Sequence, residues 1–149
     1  MKLDDATAIA KERISPRTGE DDAGFSLSEC LAVAALPATD IERARRFYAE
    51  KLGLTSTPGA APGHYLYQCG GATFSLDETS GRASGTHYQM TFMVSDIETV
   101  VRQLKGRGIV FTGDIAEDER TRTAWFKDSE GNLLSVREIL ACPAPTKVR

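Results

Sequence analysis

The 149 residues contain only two histidines, three cysteines and one tryptophan, with no surplus of basic charge. Each shortage excludes something. Cys30, Cys69 and Cys142 are odd in number and too scattered for a CxxC metal or redox pair, so they read as reduced thiols of a cytoplasmic protein. Lysine and arginine total 18 against 21 acidic residues, a net charge of -3. No broad cationic surface is then available to neutralise phosphates, which argues against nucleic acid and anionic membrane as partners. No apolar run approaches the length needed to span a bilayer. The opening MKLDDATAIAKERI, with two aspartates right after its first lysine and Lys11 breaking the apolar stretch, is unlike a secretory signal. Hydrophobic content of 41% and charged content of 26% fit one globular domain with a real core.

Residues 1–27 are polar and close on TGEDDAG. They read as an N-terminal extension, in which DDATAIAKERI is a candidate helix capped by Asp4 or Asp5. The first clear element is CLAVAALPA, residues 30–38, an apolar run stopped near Pro37 that suits a buried strand. A helix is expected from Thr39 or Asp40, either of which can cap it, with Ile41, Ala44, Phe47, Tyr48 and Leu52 on its apolar face and Gly53 at its end. Strand-like LTSTP, HYLYQC and ATFSLDE follow, separated by PGAAPG and GG. After the loop ETSGRASG the series starts again. HYQMTFMV reads as a strand, Asp96 caps a helix carrying Ile97, Val100, Val101 and Leu104, and IVFTGD, TRTAWFKD and LLSVREIL read as three more strands.

The chain thus writes strand, helix and three strands twice. ATDIERARRFYAEKLG at 38–53 matches VSDIETVVRQLKGRG at 94–108, an offset of fifty-six, and GATFSL at 71–76 matches GNLLSV at 131–136, an offset of sixty. The longer loop AEDERTR accounts for the change of offset. A four-stranded sheet with one helix leaves its other face bare, so two such modules are expected to pack together. The predicted class is α+β, with a curved, mostly antiparallel sheet, both helices outside and a concave pocket within. The domain is placed at 28–140, with modules of about 28–80 and 86–140 and a tail at 141–149.

This repeat, together with LPATD, FMVSD and AWFKDSEGNLLSV, resembles the vicinal oxygen chelate superfamily of glyoxalase I, extradiol dioxygenases, fosfomycin-resistance enzymes and bleomycin-resistance proteins. The resemblance covers roughly residues 28–140. It implies two βαβββ modules forming a U-shaped sheet, often completed as a homodimer, and in the enzymes a central divalent metal held by histidine and glutamate. The equivalent positions here, found by register, are Val33, Ser75, Gln89 and Ser135. None supplies the imidazole, carboxylate or thiolate that such an ion needs in exchange for its hydration shell. No cofactor is therefore expected, and no metal ligands are assigned.

Strand alternation puts Val33 and Ala35 on one face, and Gln89, Thr91 and Met93 on one face of the second module. With Ser75 and Ser135 these make a mixed lining suited to an organic ligand held by a few hydrogen bonds, or to a cup filled by its own side chains. One of Trp125 and Phe126 must face the cavity, and parity does not say which; Trp125 is the candidate wall for a planar ligand. Tyr65 and Tyr67 pose the same choice. Arg137, two residues beyond Ser135, is a candidate for an anionic substituent. His87 shares a face with Gln89 and is the candidate catalytic or ligating residue. His64 reads as the end of a turn, Asp77 and Glu78 as solvated strand-end residues, Cys69 as a small buried one, and DSEGN at 128–132 as a turn. The leading expectation is a metal-free binder of a small organic molecule, homodimeric, similar to the drug-sequestering members; -3 is a mild charge for a cationic drug. The alternative is an enzyme of the same superfamily, a lyase or dioxygenase with an atypical metal site around His87 or a metal-independent isomerase or lyase.

Overall fold

The computed structural model describes residues 27–29, 32–59, 61–86 and 88–140. The candidate helix in DDATAIAKERI, Cys30, His87, Cys142 and the tail at 141–149 lie outside the described residues. The chain divides into two compact units, residues 1–34 and 35–149. In the first, Leu27–Glu29 form a 3-10 turn.

The repeat is seen in the element order. β1 (Ala34–Ala38), α1 (Ile41–Glu50), β2 (Ser56–Pro58), β3 (His64–Cys69) and β4 (Ala72–Glu78) make the first module. β5 (Met90–Val94), α2 (Ile97–Gly106), β6 (Ala116–Glu117), β7 (Thr121–Lys127) and β8 (Leu133–Ile139) make the second. Each module has its own four-stranded sheet, ordered β1-β4-β3-β2 and β5-β8-β7-β6. β2, β3 and β4 pair antiparallel, as do β6, β7 and β8, while β5 runs parallel to β8.

Both helices begin as their sequences predict. Asp40 and Asp96 sit in extended backbone, and their carboxylates accept the amides of Arg43 and Thr99 at 3.0 and 3.1 Å, satisfying donors that a helix start leaves open. Ile41, Ala44 and Tyr48 on α1, and Ile97, Val101 and Leu104 on α2, are buried at helical spacing. They pack on Leu36, Ala38, Tyr67, Phe74 and Leu76 in the first module and on Ala124, Phe126, Leu134 and Val136 in the second. Full burial of a side chain of this size contributes about 1.5–3 kcal/mol. Tyr67 and Phe74 stack at 5.0 Å between ring centroids, with Tyr48 tilted against both.

Two expectations are corrected. IVFTGD is not a strand: Phe111 makes an isolated bridge to Phe126, and β6 lies beyond it at Ala116–Glu117. The run is apolar because Ile109 is buried and Phe111 packs edge-on against Phe126, a packing requirement that period and composition cannot separate from a ladder. The strand expected over 30–38 is described only from Ala34, and Val33 just before it is 41% exposed.

The second module's hairpin turn, Asp128–Asn132, docks on the first module. Glu130, its side chain 1% exposed, accepts the Asp40 amide at 2.9 Å, the Thr39 hydroxyl at 3.2 Å and two bonds from the Arg43 guanidinium. Burial works to raise the Glu130 pKa, but the bonds from Arg43, the Asp40 amide and Ser129 outweigh it and lower it to about 2. Beneath it, Asp128 accepts the Tyr48 hydroxyl at 2.8 Å and the Asn132 amide nitrogen at 2.7 Å, and Asn132 also donates to the Pro37 carbonyl at 3.0 Å. DSEGN is a turn, as expected, and also a clasp between modules.

Candidate functional site

With a helix on one face of each sheet, the side chains of alternate strand positions are left on the other, open face. In the second module the registers place Thr91 beside Ser135 and Ser135 beside Trp125 in one row, and Met93, Arg137 and Thr123 in the next. Met90, Phe92, Val94, Leu134, Val136 and Phe126 belong to the helix side. Trp125 is thereby the aromatic on the open face, half-buried, while Phe126 is fully buried in the core.

The open face of this module is held by a hydroxyl pair and an arginine bond. Thr91 and Ser135 share one between their hydroxyls at 2.8 Å. Arg137 donates through Nε to the Thr123 hydroxyl at 3.0 Å, and its guanidinium lies 5.8 Å from the centre of the Tyr88 ring. Gln89 is anchored by its backbone N–H to the Leu133 carbonyl at 2.8 Å, yet its side-chain Oε1 is buried with no hydrogen-bond partner among the described residues. A buried acceptor left open in this way costs free energy until a donor reaches it. Met93 and Ile139, on the same face by parity, are 57% and 66% exposed, and Tyr88 is 50% exposed.

The first module presents a different surface. The Gly70-Gly71 turn sets Cys69 against Ala72, and the register that follows places Leu66 beside Ser75 and His64 beside Asp77. Ser75 donates to Asp77 Oδ2 at 2.7 Å, and His64 Nδ1 bonds to Asp77 Oδ1. Burial acts to raise the Asp77 pKa; hydrogen bonds from His64 and Ser75 exceed it, so the carboxyl sits below its ordinary value. His64, expected to do no more than end a turn, and Asp77, expected to be merely solvated, therefore form a built pair. Glu78 stays exposed at the strand end, and Cys69 is a half-buried free thiol. Tyr65 and Tyr67 both point to the helix side, where Tyr67 joins the core and the Arg45 guanidinium sits 4.0 Å from the centre of the Tyr65 ring.

A divalent metal does not fit the four positions that the fold would use for it. Val33 has no donor, and the Ser75 and Ser135 hydroxyls are neutral and already engaged with Asp77 and Thr91. Gln89 alone offers a free oxygen. Among the described residues, no three histidine, cysteine, aspartate or glutamate side chains gather as a ligand set. A shallow depression of about 440 Å³ lies between Phe47, residues 108–112 and Lys127.

No characterised protein sequence gives a significant match. Solved structures do. A glyoxalase/bleomycin resistance protein/dioxygenase from Nocardioides is similar with a TM-score of 0.64 and 21% identity over 85% of this chain and 93% of that one. A protein of the same description from Alicyclobacillus acidocaldarius gives 0.63 and 21% over 74% and 91%. TnmS3, an antibiotic binding protein from Streptomyces sp. CB03234, gives 0.61 and 23% over 74% and 95%. At such identities these likenesses speak to the fold. The family model of the glyoxalase/bleomycin resistance protein/dioxygenase superfamily matches residues 31–136, most of the chain and a span that takes in both modules. The protein belongs to the glyoxalase/bleomycin resistance protein/dioxygenase superfamily.

Proposed function

We propose that this protein binds a small organic molecule on the open faces of its sheets, without a metal ion, as a cytoplasmic homodimer. One observation carries the reading: Gln89 Oε1 is buried and unpartnered among the described residues, on the face that also carries the Thr91–Ser135 hydroxyl pair and the half-buried Trp125. An orphaned acceptor and a flat aromatic ring on one face suit a ligand with one donor and a planar apolar body. The neutral donor set at the centre favours organic ligand over ion. The antibiotic-binding description of TnmS3 agrees with a binding role on this scaffold. Among the described residues no helix is long and apolar enough to cross a membrane.

The dimer proposal rests on the exposed Met93 and Ile139 of the second module, which a second copy would cover. Protein purified without a metal-binding tag, then denatured and extracted, is expected to release an organic compound that Gln89→Ala and Trp125→Ala protein no longer carries. Extracts empty of organic ligand in all three, with a stoichiometric transition metal in the wild type, would contradict the proposal and favour metal-assisted chemistry.

A further inference from the structure

The pair His64–Asp77 lies on the face where the ligand is placed. Asp77 has both oxygens committed, Oδ2 to the Ser75 hydroxyl and Oδ1 to His64 Nδ1. A carboxylate in contact with Nδ1 holds the proton on that nitrogen and leaves the lone pair on Nε2. Among the described residues no hydrogen bond reaches Nε2, and the His64 side chain is 31% exposed.

Gly59 lies against the same ring. A Cβ there would come within 1.8 Å of His64 Cδ2 and 2.9 Å of Nε2, so only a glycine lets the chain pass without displacing the imidazole or covering its open nitrogen. The Gly59 amide also donates to the His64 carbonyl at 2.7 Å, fixing the loop there. Leu66, two residues on and paired with Ser75, sets an apolar surface on the same face.

An imidazole lone pair backed by a carboxylate is a strong acceptor. It repels anions, and it lacks the second free ligand that a metal would require. Its complement is an acidic hydroxyl on an apolar frame. We propose that His64, oriented by Asp77, accepts a hydrogen bond through Nε2 from a phenolic or enolic hydroxyl of the bound molecule. This rests on the small-molecule reading above and adds the ligand's chemistry to it.

The test compares phenol with its methyl ether, anisole, at neutral pH on the full chain by NMR, following the imidazole nitrogens of His64 and the signals of Thr91 and Trp125. The phenol is expected to shift His64 Nε2 and to bind about tenfold more tightly than the ether, the worth of one good hydrogen bond to a partly buried acceptor. His64→Gln and Gly59→Ala should abolish that preference, with folding checked by unchanged amide spectra. Equal binding of phenol and ether, or a preference that survives His64→Gln, would overturn the acceptor role. If both probes then still shift Thr91 and Trp125, the small-molecule reading stands and only the role of His64 falls. Shifts at no open-face residue with either probe would count against both.

Discussion

The two modules share a scaffold and differ in what they put on it. Ser75 and Ser135 occupy equivalent central positions, and both are buried. Two residues on, the first module has Asp77 and the second Arg137. Ser75 therefore donates to a carboxylate that also holds His64, while Ser135 shares its bond with the neutral Thr91 and its neighbour Arg137 turns to Thr123. The hairpin turns diverge too. Gly70-Gly71 in the first module closes β3 on β4 with open space beside both glycines, whereas Asp128–Asn132 in the second closes β7 on β8 and clasps α1. One architecture thus carries two sets of side chains: one face has a carboxylate–imidazole pair, the other a hydroxyl pair, an arginine and a tryptophan.

The sharpest way to break this comparison is at the turns. Asn132 is fully buried and bonds both Asp128 and the Pro37 carbonyl, while its counterpart Ala72 is exposed. Asn132→Ala should cost about 2–3 kcal/mol of stability in urea unfolding, since the Pro37 carbonyl loses this donor, Asp128 is left with the Tyr48 hydroxyl and backbone amides, and a fully buried side chain is removed. Ala72→Asn, the reciprocal change, should stay within about 0.5 kcal/mol of wild type. Equal effects would mean that the clasp is not where the modules differ.

Glu130 gives the comparison a pH dependence. Its folded pKa is about 2 against an ordinary value of 4.5. A depressed carboxylate stabilises the fold above its unfolded pKa and loses that contribution as pH falls, progressively from near 4.5 down through about 2. Acid unfolding of Glu130→Gln protein should therefore show less dependence on pH in that window than the wild type does. At neutral pH the same substitution should cost about 1–2 kcal/mol, as the Asp40 amide and Arg43 lose a charged acceptor.

A smaller effect is expected at the central serines. Ser135→Ala removes one hydroxyl pair and should cost about 1 kcal/mol by denaturant unfolding. Ser75→Ala should cost no more in stability, but it frees Asp77 Oδ2 and should shift the His64 imidazole resonances, which Ser135→Ala should leave in place. The tryptophan fluorescence of Trp125 offers the converse readout, responding to Ser135→Ala and not to Ser75→Ala.

Much of this was legible before any coordinates. The repeat, both capping aspartates and the helix-side phase of Met90, Phe92 and Val94 follow from spacing alone, because helix and strand periods differ and a repeat doubles the signal. IVFTGD misled because an apolar run looks the same whether it pairs in a ladder or packs against a ring. His64 and Asp77 were recoverable: a two-residue Gly-Gly turn fixes the hairpin register, and counting outward from Cys69 and Ala72 sets those two residues opposite each other. Nothing local to DSEGN tells that Glu130 reaches a helix some ninety residues away. Such a contact depends on how two modules meet, which no window of sequence contains.

The central claim is that the superfamily's scaffold here holds an organic molecule where its enzymes hold a metal. A native mass spectrum of tag-free protein, never exposed to chelator, tests it most directly, since one measurement reports metal, ligand and oligomer together. The account predicts a metal-free dimer carrying an organic adduct. A chain with one stoichiometric divalent ion and no organic adduct would contradict it.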